Sequence, residues 1–122
     1  MTIMSIAPQA GTRQAEVIAG LTAAAAFLGT HPGLPIGNTN PLDCHIFADT
    51  DEEARAEVDR VAVILGVTAC WTDRNHTHYE AVRHFGGDVT YRVIAISKAR
   101  MDQWNALMSY GDSVRPEITV AA

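Results

Sequence analysis

Apolar positions along the chain repeat with two periods, one near that of a helix and one near two. Between Arg13 and Leu28, Val17, Leu21, Ala24, Ala25 and Leu28 recur at helical spacing and predict a helix. Thr12 suits its N-cap and Gly29 its stop. Leu42 to Ala48 alternates, with Leu42, Cys44, Ile46 and Ala48 against Asp43, His45 and Phe47, and predicts a strand. Thr50 and Glu53 then form a capping-box pattern, and Ala54, Val58, Val61 and Leu65 make one helical stripe closed by Gly66. Val67 to Thr72 predicts a short strand and Asp73 to Asn75 a turn. Thr77 to Ile96 predicts a β-hairpin turned on Gly86-Gly87, since glycine takes the positive φ of tight hairpin turns without steric cost. Ser97 caps a last helix over Lys98 to Tyr110, with Met101, Trp104, Leu107 and Met108 expected inward and Gly111 ending it. Ile118 to Ala121 predicts a short edge strand.

The turn sets the hairpin register. With Phe85 opposite Asp88, Val82 pairs with Tyr91 and Glu80 with Val93. Tyr79, Arg83, Thr90 and Arg92 then share a face. Because it holds both arginines, that face is expected to be the outer one. A bulge near the turn would exchange the two faces.

Together these elements predict an α+β fold, a mostly antiparallel sheet with helices on one face. From Leu42 onward the order is a ferredoxin-like, split β-α-β variant, with an extra helix before it. Residues 1–11 read as a flexible arm and residues 12–122 as a single domain. Thr30 to Pro41, broken by Pro32, Pro35 and Pro41, is a long loop of functional or linking character. Asp51 to Tyr110 also has the element order of a double-stranded-RNA-binding domain, but its first helix is acidic and Lys98 is its one lysine, which argues against RNA.

Charge sharpens that exclusion. The 122 residues carry a formal net charge of −5, against the basic footprint that nucleic-acid binding needs. Acid concentrates between Asp43 and Gly66, while Trp71 to Met101 is mildly basic. Cys44 and Cys70 make no disulfide framework, no secretory signal is read at the start, and Val17 to Leu28 is too short to span a bilayer. A cytoplasmic protein with no membrane partner is the expectation.

Candidate chemistry is sparse. No Walker A, G-x-G-x-x-G, G-x-S-x-G or paired C-x-x-C motif occurs, no cofactor is implied, and no catalytic residue is assigned, so the reading leans away from an enzyme. His76 and His78, two apart on an extended segment, are weak candidates for a shared metal. Tyr79, Arg83, Thr90 and Arg92 form the candidate ligand or partner site, since two guanidiniums beside two hydroxyls suit a phosphate or carboxylate. Cys44 and Cys70 lie in apolar strands and are expected to pack.

The runs FADTDEEARAEVDRVAVILGV and HYEAVRHFGGDVTYRVIAI resemble uncharacterised small proteins of actinobacteria and their phages or integrative elements. The resemblance implies a mobile-element setting and brings no activity with it. The leading expectation is a small non-enzymatic protein-binding module, acting on a host or defence protein or forming a homo-oligomer. The alternatives are an anionic-ligand-binding protein or enzyme using the Tyr79/Arg83/Arg92 face, and an acidic nucleic-acid mimic.

Overall fold

The structure, a computed structural model, describes residues 2–121, with side chains described for residues 11–109. Its elements are α1 (Thr2–Thr30), β1 (Asp43–His45), α2 (Asp51–Leu65), β2 (Cys70–Trp71), β3 (His78–Gly86), β4 (Val89–Ile96) and α3 (Lys98–Ala121).

Local chemistry explains α2 most completely. The Thr50 side chain accepts from the Glu53 amide at 3.1 Å, and three acidic residues in the first turn complement the helix dipole. Gly66 ends the helix at φ 73° and donates to the carbonyls of Ala62 and Val63. The expected stripe of Ala54, Val58, Val61 and Leu65 is buried. Full burial of Val58, Val61 and Leu65 stabilises by about 1.5–3 kcal/mol each.

The strands form one sheet in the order β1-β4-β3-β2. β1 runs parallel to β4, while β4–β3 and β3–β2 are antiparallel. The sheet is therefore mixed, where a mostly antiparallel one was expected. The cause is α2. It carries the chain from the β1 edge across the sheet to the β2 edge, and the hairpin fills the space between. β1 thus lies beside the second hairpin strand and runs with it.

The hairpin register also differs from expectation. The turn residues are Gly87 and Asp88, both at positive φ (59° and 63°), and Gly86 pairs with Val89. One register shift between His84 and Gly86 leaves Phe85 as an extra residue. Arg83 then opposes Tyr91, and Val82 opposes Arg92. Tyr79, Ala81 and Arg83 share a face with Tyr91, Val93 and Ala95, and this face packs on α2. The opposite face carries Glu80, Val82, His84, Thr90, Arg92 and Ile94.

α1 crosses the tip of the hairpin. A side chain at Gly20 would strike the Gly86 carbonyl and Val89, and one at Gly87 would strike the Glu16 carbonyl. These two glycines let helix and turn touch backbone to backbone. Ala24 is buried, but Leu21 and Ala25 are exposed, so the contact stripe is rotated toward Gly20 and Phe27. Thr12 lies inside α1 instead of capping it, and the expected arm over residues 1–11 falls almost wholly on residues whose side chains lie outside those described. The backbone over Ile118–Ala121 belongs to α3, and among the described residues no fifth strand joins the sheet.

The Pro-rich loop is pinned at its middle. Leu34 is buried, the Tyr91 hydroxyl donates to the Pro35 carbonyl, and Arg60 donates to the Gly33 carbonyl at 3.1 Å. Burial holds the Tyr91 hydroxyl well above its ordinary pKa.

Candidate functional site

The structure divides the four expected site residues between two faces. On the α2 side, the Tyr79 hydroxyl donates to the Asp59 carboxylate at 2.5 Å, and that hydrogen bond, with burial, raises its pKa. Arg83 donates to the Leu65 carbonyl at the end of α2 at 2.6 Å, and its guanidinium lies 4.5 Å from the Phe27 ring and 5.4 Å from that of Phe85. This cation closes a helix C-terminus and joins α1, α2 and β3.

Thr90 and Arg92 lie on the open face. Arg92 is held by both Asp43 oxygens, at 3.0 and 2.8 Å, and reaches Glu80 at 3.4 Å. The Asp43 hydrogen bond, the largest cause, raises its pKa. Two carboxylates around one guanidinium leave a net negative cluster, poorly suited to an anion. The expected convergence of Tyr79, Arg83, Thr90 and Arg92 thus fails because one bulged residue turns β3 over relative to β4.

His76 and His78 also part. His76 sits in the turn at φ 54° and stacks on Trp71, with ring centroids 4.8 Å apart. The His78 ring faces Thr77 and Asp73. The Asp73 carboxylate accepts from the Thr77 hydroxyl and from the Thr77 and His78 amides, which holds its pKa down at about 2. Among the described residues no group of three or more His, Cys, Asp or Glu side chains is placed to hold a metal. Cys44 is buried, which raises its pKa, and Cys70 is exposed on β2.

A different surface stands out. Trp104, Leu107 and Met108, expected in the core, are 51%, 66% and 49% exposed. The reason is the junction before α3. The Ser97 amide still donates to the Thr77 carbonyl at 2.8 Å, as in a continuing ladder, while the Ser97 hydroxyl caps the Arg100 amide at 3.2 Å. A single residue thus separates strand from helix. Loops joining a strand to a helix that packs back on its sheet generally take two to six residues or so. Asp51 fixes the exit direction by accepting from the Lys98 amide at 2.9 Å, and Lys98 Nζ donates to the Asp49 carbonyl. Among the described residues α3 has no extended packing against another element.

Across a cleft of about 440 Å³ from the first turns of α3 stands the β1–α2 loop. Ile46, Phe47, Ile96, Met101, Asp102 and Asn105 are among its lining residues. Phe47 is 76% exposed. On its other side Phe47 borders a second cleft, about 470 Å³, shared with Ile36 and the tip of the Pro-rich loop. The sequence carried one signal of this surface: a helix cap directly following the last strand residue. Among the described residues no helix is long and apolar enough to cross a membrane. No protein-family model, curated protein or solved structure matches this chain.

Proposed function

We propose that the chain is a small protein-binding module whose contact surface is the exposed apolar side of α3, beside the cleft that Met101 shares with Phe47. The observation that carries this reading is the exposure of Trp104, Leu107 and Met108 on a helix whose one-residue junction keeps it off its own sheet. Clustered exposed aromatic and aliphatic side chains mark protein contacts, and Trp is among the side chains that contribute most to them. Phe47, exposed on the β1–α2 loop, borders the same cleft as Met101 and adds apolar surface beside that helix.

Two features weigh against the rival readings. Arg83 and Arg92 are engaged within the fold, which leaves the anionic-ligand reading without its cations. Of the carboxylates an acidic mimic would present, Asp59 and Asp51 serve Tyr79 and α3, and Glu57 pairs with Arg60.

A photoreactive phenylalanine analogue at Trp104 tests the proposal, with the same group at exposed Arg74 as control. Protein adducts from position 104 and few from position 74 are the expected result. Equal labelling from both positions, or none from 104, overturns it.

A further inference from the structure

Another cleft, of about 430 Å³, opens between the turn from β2 to β3 and the first turns of α3. Apart from Ala99, every residue lining it is polar or charged. Asn75, Thr77 and His78 belong to the turn and the start of β3, and Arg100 and Gln103 to α3. The Ser97 amide, by donating to the Thr77 carbonyl, starts α3 directly beside that turn.

A chain of hydrogen bonds orients the imidazole in this cleft. An ionised carboxylate can only accept, so the Thr77 hydroxyl donates to Asp73. Its oxygen is then left to accept from His78 Nδ1, 2.8 Å away. Both Asp73 oxygens also accept from backbone amides of Thr77 and His78, so that charge is spent inside its own turn. The proton of a neutral ring therefore sits on Nδ1, and Nε2 is left bare. Among the described residues, neither Nε2 nor the Arg100 guanidinium carries a hydrogen bond or an ion pair. The cleft thus joins a fixed acceptor, an unpaired cation and the side-chain amides of Asn75 and Gln103. A tetrahedral oxyanion that keeps one proton matches this set. Its hydroxyl donates to Nε2, while its ionised oxygens accept from Arg100 and the amides. A carboxylate at neutral pH has no proton for Nε2 and engages Arg100 alone.

We infer that this cleft binds a phosphoryl group, with Arg100 holding its charge and His78 Nε2 its protonated oxygen. Asp73 and Thr77 are positioning residues for the ring. The site uses neither Arg83 nor Arg92, and it stands or falls separately from protein binding by the apolar side of α3.

The test titrates the full chain with inorganic phosphate, methyl phosphate and acetate at constant ionic strength, read by NMR of the backbone amides and histidine ring nitrogens. Phosphate should give saturable shifts centred on residues 73–78 and 97–103, and acetate none that saturate. Equal binding of methyl phosphate marks phosphomonoesters as the ligands, and binding of inorganic phosphate alone marks the free ion; either supports the site. In the free chain the neutral His78 ring should carry its proton on Nδ1. Arg100→Gln and His78→Gln each weaken phosphate binding by roughly tenfold or more. Thr77→Val, which keeps the side-chain shape, weakens it by roughly threefold and moves the ring proton toward Nε2. His84→Gln, at an exposed position outside the cleft, changes nothing. The amide spectrum of each variant shows whether it remains folded. Shifts that grow without saturating, acetate that binds as well as phosphate, or full affinity in folded Arg100→Gln overturns the inference. A free ring protonated on Nε2 overturns the positioning role of Asp73 and Thr77.

Discussion

Replacing Arg83 by alanine takes a donor from the Leu65 carbonyl and a cation from between two phenyl rings. A charged hydrogen bond of this kind is worth about 1.5–3 kcal/mol, so urea unfolding should show a loss of that size. Arg92→Ala removes a pair whose side chains are about a third exposed, and solvent screening limits its cost to about 1 kcal/mol or less. The ranking is the test: a larger loss from Arg92→Ala would mean that the open face, not the α2 face, is the anchored one. Asp73 offers a pH signature. Its pKa is depressed from 3.8 to about 2, so the stabilisation it gives is present above about pH 4 and is lost as pH falls toward 2. Asp73→Asn should therefore lower stability at pH 7, with the gap to the native chain closing below pH 4. A gap that does not change with pH would show that the carboxylate charge plays no part.

At the scale of elements, the contact between α1 and the hairpin tip depends on two missing side chains. Gly20→Ala and Gly87→Ala each force a methyl group into backbone, a strain that typically costs about 1–3 kcal/mol. Gly87→Ala adds the penalty of φ 59°. Gly29→Ala, with open space around the new methyl, is the control and should be neutral or stabilise by up to about 1 kcal/mol. Thermal unfolding separates the cases. If Gly20→Ala behaves like Gly29→Ala, α1 does not pack on the turn. The hairpin also shows where periodicity stops being informative. Its place in the chain is legible from Gly86-Gly87 and the β-rich flanks. Its register is not, because alternation continues unchanged through a bulge, and the extra Phe85 moves Arg83 from the side of Arg92 to the α2 side.

For the whole molecule, the open side of α3 implies that most of that helix is dispensable for folding. A chain stopped after Met101 should keep the thermal transition of the full chain, since, among the described residues, the buried cluster of α2 with Ala81, Tyr91, Val93 and Ala95 takes nothing from the rest of α3. A truncated chain that fails to fold would place α3 in the core and contradict its exposure. The sequence alone determined α2, with its Thr50 cap, buried stripe and Gly66 stop, along with the existence of the hairpin and an α+β class. These follow from hydrogen bonds and sterics between residues close in the chain. Only the tertiary structure decided that β1 joins β4 in parallel, that the two arginines part, and that Trp104, Leu107 and Met108 face outward. A helical stripe has the same spacing whether its own core or another surface covers it. Which one covers it depends on where the preceding strand ends and on how many residues remain to turn the chain back.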